Sequence, residues 1–211
     1  MADGCLSLEK RIRKSGKIVF YKFVSINVNI RDLDHLNNLK SFLKSEHKVT
    51  VLTYATSFGI TTQARFAVIS PRIWDALQRF GLTQRKSLTC RASSVVKDDP
   101  NFWRGIVDGD GSIGVLCKRA KRYPYVQLDG NVALIGQFQN FVQNVTGNLY
   151  KICKHRTVKN FGRVHLSSQP AAKLLRVLYD GAAIALKRKQ MAALRCLQLG
   201  GQIGDQIKRI H

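Results

Sequence analysis

The sequence contains few acidic residues. Its 211 residues include 13 Asp and Glu against 35 Lys and Arg, which gives a formal net charge of +22. The cations are spread along the whole chain rather than gathered in one tail, and solubility alone does not require such an excess. Distributed cations suit nucleic acid, because each phosphate neutralised by Lys or Arg releases counterions. The composition therefore predicts a polyanionic partner and favours nucleic acid.

Long hydrophobic runs are also missing. Hydrophobic residues make up 45% of the chain, an ordinary share for a globular protein. No apolar stretch approaches the roughly 18 to 20 residues of a membrane span. The basic residues alternate with apolar ones in strand-like runs, which weakens the alternative of an anionic membrane surface. We expect no membrane association.

Cysteine pairs of the kind found in zinc sites and disulfide frameworks are absent. The five cysteines are widely spaced, with no CxxC pair and no histidine cluster of zinc-ligand spacing: Cys5, Cys90, Cys117, Cys153 and Cys196. They predict reduced thiols in a reducing compartment. No secretory signal or acid-poor transit peptide precedes the folded sequence, so we expect the protein to act where it is made. An organelle that encodes it (chloroplast or mitochondrion) and a bacterial cytoplasm both satisfy this expectation.

The chain contains two halves with the same order of predicted elements. In the first half, a basic turn at 11–17 precedes strand 18–30, helix 32–44, strands 49–56 and 61–69, and a helix opened by Pro71. In the second half, strands near 112–118 and 124–129 precede helix 132–145, strands near 148–154 and 162–168, and a helix opened by Pro170. The pattern predicts two α+β units.

The parallel between the halves extends to individual residues. Residues 64–71 resemble 161–168 in pattern, and the basic clusters 85–87 and 187–190 follow the last helix of each half. An offset of about 100 residues indicates an internal duplication. We therefore expect an N-terminal repeat at 1–90, a polar linker at 91–101 and a C-terminal repeat at 102–211.

One segment of the second half carries the strongest functional signal. Residues 102–114 read Phe-Trp-Arg-Gly-Ile-Val-Asp-Gly-Asp-Gly-Ser-Ile-Gly, an apolar stretch that ends in two acids interleaved with glycines. This segment resembles the LAGLIDADG motif from Gly105 to Gly111, with Trp103 and Arg104 departing at its looser start. Residues 1–6 look like the tail of a first copy, which lacks the preceding helix.

The resemblance is to the LAGLIDADG homing endonucleases and covers nearly the whole chain. It implies an α+β fold of two pseudo-symmetric αββαββα units that form a saddle-shaped, DNA-binding β surface in one monomer with internal pseudo-twofold symmetry. It also implies a site-specific endonuclease that hydrolyses phosphodiester bonds of double-stranded DNA in intron homing. The reading frame is expected to begin upstream, where the missing first helix would be encoded.

The two motif acids have a clear chemical logic. A carboxylate at a helix C-terminus faces the negative end of the macrodipole, and a second carboxylate nearby adds repulsion that a cation removes. Mg²⁺ favours such oxygen ligands. The family resemblance implies that Asp110 and Asp3 are catalytic metal ligands, that the carbonyls of Gly109 and Ala2 complete the site, and that Lys187 and Lys86 polarise the scissile region. The neighbours Arg85, Arg188 and Lys189 leave the register of the two lysines open.

The predicted strands supply candidate DNA contacts. Alternate side chains of a strand would point to base edges in the major groove, and their neighbours to phosphates. The first half offers Lys22, Asn27, Asn29, Thr61, Gln63 and Arg65. The second half offers Lys118, Arg119, Lys121, Arg122, Tyr125, Gln127, Lys154 and Arg156. No role is assigned to His155 or His165, which lack a Cys or acid at nucleophile spacing.

Other interpretations of the motif fit less well. Residues 109–114 also match GxGxxG, with Asp129 at the spacing of a dinucleotide site, but Asp110 would face the pyrophosphate and no long helix follows. A calcium loop would need glycine and glutamate where Ile113 and Arg119 stand. A plain surface turn leaves the preceding apolar helix and the repeat unexplained.

Two alternatives to an endonuclease keep the same basic surface. The chain could serve as a splicing maturase acting on intron RNA, a role that some members of the resembled family hold without the metal-binding acids. It could also be a degenerate protein that binds DNA without cutting it. An endonuclease requires Asp110 and metal, whereas a maturase prefers structured intron RNA and tolerates loss of that acid.

Overall fold

A computed structural model describes residues 4–57, 59–84, 89–118, 121–155 and 157–208, with side chains to residue 199. The chain divides into two compact units between residues 86 and 87. Residues 89–99, most of which fall in the predicted linker, lie in the second unit, where Cys90 and Ala92 are part of the core. The segment is polar by composition, but these two small side chains anchor it.

The first unit is one antiparallel sheet with helices on one face. In chain order its elements are β1 (Gly4–Ile12), β2 (Ile18–Asn29), α1 (Leu33–Phe42), β3 (Val49–Thr56), β4 (Gly59–Ile69) and α2 (Pro71–Arg79). The strands are arranged β1-β2-β4-β3. The sequence pattern predicted these elements except β1, which pairs with β2 along its whole length.

The second unit repeats this plan. Its elements are α3 (Pro100–Asp110), β5 (Gly111–Lys118), β6 (Lys121–Asn131), α4 (Val132–Thr146), β7 (Cys153–Lys154), β8 (Phe161–Ser167), α5 (Ser168–Tyr179) and α6 (Lys187–Lys208). Its sheet order, β5-β6-β8-β7, matches that of the first sheet. The predicted α+β class and the repeated strand plan are confirmed, although the strand predicted near 148–154 is limited to the two residues of β7. α6 is additional to the predicted αββαββα order.

Two helices of the second unit begin at side-chain caps that the sequence encodes. Asp99 accepts a hydrogen bond from the backbone N–H of Asn101 at 2.8 Å, and Pro100 occupies the first turn of α3. Asn131 caps α4 by accepting from the N–H of Leu134 at 3.0 Å. These caps fix where the helices leave the preceding chain, and α3 therefore starts inside the predicted linker.

Each unit has its own apolar core on one face of its sheet. The first core includes Leu6, Val24, Leu36, Phe66 and Trp74. The second and larger core includes Trp103, Leu128, Phe138, Leu166 and Leu174. Burial alternates along the strands, so every second side chain lies on a face that the helices leave uncovered, which we call the open face. In the described part of the chain, no helix is long and apolar enough to cross a membrane.

Strand register aligns the two repeats residue by residue. Asn27 pairs with Arg65 in the first sheet, and Asp129 pairs with Arg163 in the second. Arg65 and Arg163 therefore occupy equivalent positions on the open faces. The sequence comparison of 64–71 with 161–168 was off by one residue, which in a strand exchanges the two faces.

Candidate functional site

The last residue of α3, Asp110, is exposed, and Gly111 directly after it begins β5. Ser112 then lies on the open face of the sheet, opposite Gln127. The carboxylate of Asp110 is thus placed between the negative end of the helix dipole and the open face, an arrangement that a cation stabilises. No group of three or more His, Cys, Asp or Glu that could hold a metal lies within the described residues.

Gly111 allows the tight turn from α3 into β5. A Cβ at this position would lie 2.7 Å from the carbonyl oxygen and 2.9 Å from the Cα of Val107. The backbone of α3 cannot move away without disturbing the core, since Val107 is fully buried. Glycine is therefore required here for space.

We expect Gly111→Ala to lower the free energy of unfolding by about 2 kcal/mol, the usual scale for overpacking a core. Gly136→Ala is the matched control, since a Cβ at Gly136 in α4 meets nothing within 4 Å. The control should raise stability by about 0.5 to 1 kcal/mol through helix propensity. Urea denaturation of both variants tests this, and equal stability of the two would contradict the steric explanation.

The first acid of the motif, Asp108, is a buried structural group. It is 6% exposed, and it accepts hydrogen bonds from the Tyr179 hydroxyl at 2.7 Å and from the backbone N–H of Leu186 at 2.9 Å. Both carboxylate oxygens are therefore used inside the unit. Burial and the Asp108 carboxylate raise the pKa of Tyr179 far above its ordinary value, so its hydroxyl remains a donor.

Arg104, one helical turn before Asp108, also binds the chain between α5 and α6. Its Nε donates to the carbonyl of Ile184 at 2.9 Å and its Nη1 to the carbonyl of Leu178 at 3.1 Å. Charged donors of this kind make strong hydrogen bonds to carbonyl oxygens. The departure of this residue from the small or apolar residue at the start of the LAGLIDADG motif thus has a structural reason. It fastens the connection between α5 and α6 to the motif helix.

This connection sets the position of the basic cluster at the start of α6. The carbonyl of Leu186 accepts from the N–H of Lys189 at 2.8 Å and of Gln190 at 3.0 Å, so Leu186 is the residue directly before the first helical position of α6. The Lys189 ammonium donates to the carbonyl of Gly111, next to Asp110, and the residue is 8% exposed. Lys187, the lysine predicted from the family resemblance, is exposed at the first position of α6.

The open face of the second sheet gathers part of the predicted DNA-contact set. Strand alternation places on it Lys118, Lys121, Tyr125 and Gln127. Tyr125 lies over Gly114, donates to or accepts from the hydroxyl of Ser112 at 3.2 Å, and stacks on His165. Arg122 and Lys154 are exposed but lie in the rows of Pro124 and Gly162, which belong to the other face.

The open face of the first sheet carries five of its six predicted residues: Asn27, Asn29, Thr61, Gln63 and Arg65. The prediction that Lys22 faces DNA is wrong. Lys22 lies in the row of buried Val24, on the helix side, and its ammonium is 2.6 Å from a carboxylate oxygen of Asp75 in α2. The strand prediction was right, but the face of this lysine depends on register, which composition did not fix.

Five predicted site residues lie outside the described residues, namely Ala2, Asp3, Lys86, Arg119 and Arg156. Sequence reasoning missed three residues on the open face of the second sheet: Asp129, Arg163 and His165. Their strand alternation with buried Leu128, Val164 and Leu166 is the signal that could have found them.

The fold matches solved structures with high coverage and low sequence identity. I-SmaMI bound to cleaved DNA aligns with a TM-score of 0.62 and 13% identity, covering 97% of this chain and 87% of that chain. I-AabMI bound to uncleaved DNA aligns with a TM-score of 0.58 and 14% identity, covering 97% and 88%. I-GzeII in complex with its DNA target gives 0.56 and 13%, covering 94% and 93%.

All three of these structures are LAGLIDADG homing endonucleases. No family model and no curated protein sequence matches the chain. The likeness to these structures is therefore one of fold, that is, of the arrangement of helices and strands. With its two α+β units and repeated sheet order, the chain has the fold of the single-chain LAGLIDADG homing endonucleases.

Proposed function

We propose that the chain is a site-specific double-strand DNA endonuclease that hydrolyses phosphodiester bonds with a divalent metal, Mg²⁺. The observation that carries the proposal is the exposed carboxylate of Asp110, which ends the motif helix beside the open face of a sheet. The net charge of +22 supports a polyanionic substrate.

The oxygen ligands available at the end of α3 suit Mg²⁺. The Asp110 carboxylate and the Gly109 carbonyl are hard oxygen ligands, and Mg²⁺ commonly binds through one or two carboxylates plus substrate phosphate. When bound, the metal supplies an activated water and charge stabilisation for the leaving oxygen. Asp3 and Ala2, directly before β1 as Asp110 and Gly109 are before β5, remain the proposed counterparts in the first half. I-SmaMI has been solved bound to uncleaved DNA in the presence of calcium ions.

Asp108 is left out of the proposed metal set. Its two oxygens already accept from Tyr179 and Leu186. If Asp108 bound the metal instead, these two buried donors would lose their acceptor. Its proposed duty is to hold the start of α6 against the motif helix. The basic cluster that begins α6 is then presented next to Asp110.

Lys189 is a better candidate than Lys187 for the lysine that polarises the scissile region. The Lys189 ammonium already lies at the Gly111 carbonyl, where it lends positive charge to the end of α3. Lys187, by contrast, is exposed at the helix start. A cation fixed beside the reacting phosphate stabilises developing negative charge more than a mobile surface cation does.

Single methionine variants of the two lysines test this preference. We expect Lys189→Met to lower the rate of cleavage by about 100-fold and Lys187→Met by less than about threefold, on the scale of removing one electrostatic stabiliser. Single-turnover cleavage of a saturating target measures both. A larger loss for Lys187→Met would return the role to that residue.

The DNA contacts are proposed to come from the two open faces, each reading part of the target in the major groove. I-GzeII and I-AabMI were both solved with DNA. We propose that the protein works as a monomer in intron homing, since the two repeats supply two similar binding faces in one chain. Selection of bound and cut sequences from a randomised DNA library tests the function as a whole.

A further inference from the structure

We infer that Gln127, Asp129 and Arg163 form a preassembled site for the base edge of guanine on the open face of the second sheet. This inference rests on the proposed function and names what one part of the DNA surface reads. Three strand neighbours carry it, because Gln127 and Asp129 are two apart on β6 and Arg163 faces Asp129 on β8.

The three side chains hold one another. Arg163 donates its Nε to Oδ1 of Asp129 at 2.7 Å, and Gln127 donates its Nε2 to Oδ2 of the same carboxylate at 2.8 Å. Both carboxylate oxygens are therefore occupied. The side chain of Arg163 is 48% exposed and that of Asp129 is 28% exposed, so the acid lies lower and the guanidinium reaches outward. A planar guanidinium held at one edge loses little further freedom on binding.

The remaining hydrogen-bonding groups match one base pair. With Nε bound to Asp129, the two terminal nitrogens of Arg163 are the donors left to face a ligand, and paired donors of arginine recognise O6 and N7 of guanine. The carbonyl of the Gln127 side chain is an acceptor beside them, suited to an exocyclic amino group such as that of cytosine N4. The set therefore fits a G·C pair better than an A·T pair.

The carboxylate argues for a base rather than a phosphate. The chain has 13 acidic residues and a net charge of +22, so an acid on a surface that meets DNA opposes the general attraction. Asp129 would repel a phosphate drawn to Arg163, whereas it leaves the uncharged guanine edge accessible. Asp129 is explained instead as the residue that orients Arg163.

The first sheet provides an internal comparison. Arg65 stands at the position equivalent to Arg163, but Asn27 stands where Asp129 would be. Within the described residues the Nε of Arg65 is buried and has no hydrogen-bond partner. The same backbone position thus carries one arginine fixed by a carboxylate and one that is not, so guanine discrimination should be sharper in the half-site read by the second sheet.

The test is selection of bound sequences from a randomised double-stranded DNA library in Ca²⁺, followed by affinity measurements on single-base variants of the selected site. We expect wild type to require G·C at one position. Arg163→Gln should weaken binding to the selected site by about 10- to 100-fold and abolish the preference at that position alone. Asp129→Asn should reduce the same preference while leaving the other positions unchanged. Thermal melting checks that each variant is folded.

Two further variants sharpen the result. Lys121→Gln, on the same face, should weaken all sequences alike and reduce the salt dependence, as loss of a phosphate contact does. Asn27→Asp should increase guanine discrimination at the position read by Arg65. Uniform weakening by Arg163→Gln, or an unchanged guanine preference in both Arg163→Gln and Asp129→Asn, would overturn the inference while the proposed function stands. Failure of wild type to bind any DNA would overturn both.

Discussion

Replacing Asp110 by Asn is expected to abolish DNA cleavage while leaving DNA binding in Ca²⁺ intact or improved. The substitution removes one metal-ligand charge and adds no bulk at an exposed helix end. Loss of a metal contribution of several kcal/mol corresponds to a rate lower by about 1,000-fold or more. Single-turnover cleavage in Mg²⁺ and binding in Ca²⁺, measured on the same target, separate the two effects.

Asp98→Asn is the matched control for this experiment. Asp98 is also an exposed acid of the second unit, placed before α3 rather than at its end, and it forms an ion pair with Lys97 at 3.9 Å. The Asp98→Asn variant should cleave at the wild-type rate, because an exposed ion pair at such a distance contributes little to stability. Cleavage by Asp110→Asn at a rate close to that of Asp98→Asn would contradict the role of Asp110 as a metal ligand.

The second large effect is expected for the other motif acid, and it is an effect on stability. Asp108→Ala leaves the buried Tyr179 hydroxyl and the Leu186 N–H without their acceptor. Each unsatisfied donor costs about 1 to 3 kcal/mol, so the free energy of unfolding of the second unit should fall by about 3 kcal/mol or more. Denaturant unfolding followed by Trp103 fluorescence measures it, since this tryptophan is fully buried in the same core.

Tyr179→Phe separates the two bonds of Asp108. It removes one donor and should cost about 1 kcal/mol, less than Asp108→Ala. Because the pKa of Tyr179 is raised in the folded state, its contribution is present at neutral pH and should weaken as pH rises above the ordinary tyrosine value of 10.0. The phenylalanine variant should lose that alkaline dependence. If Asp108→Ala unfolded like wild type but bound metal more weakly, Asp108 would be a ligand instead of a structural acceptor.

The sequence predicted most of the fold because the apolar periodicity is strong in the core elements. Helix 132–145 and strand 61–69 correspond closely to α4 and β4. β1 was not predicted because only two of its residues, Gly4 and Leu6, are buried, and its last three residues are all exposed. α6 was not predicted because its first turn is a basic cluster and lacks the pattern of an amphipathic helix.

The candidate site was predictable where chemistry is local and less so where it depends on register. Asp110 follows from the motif alone, and the structure places it at a helix end. The position of Lys189 beside the Gly111 carbonyl could not be predicted from sequence, because it depends on how Asp108 fastens Leu186. Lys22 was predicted to contact DNA but lies on the helix side of its sheet, whereas Arg163 was not selected and lies on the open face. In both cases one residue of strand register decides which face the side chain occupies.

The most direct test of the central claim is cleavage of a DNA library with a randomised site, using this chain and a form extended upstream in its reading frame. The account predicts Mg²⁺-dependent double-strand cuts within one enriched sequence by at least one form. No cuts are expected in EDTA or with Asp110→Asn. Retained binding to an enriched site without any cutting by either form would contradict it and favour a maturase or a DNA-binding protein without nuclease activity.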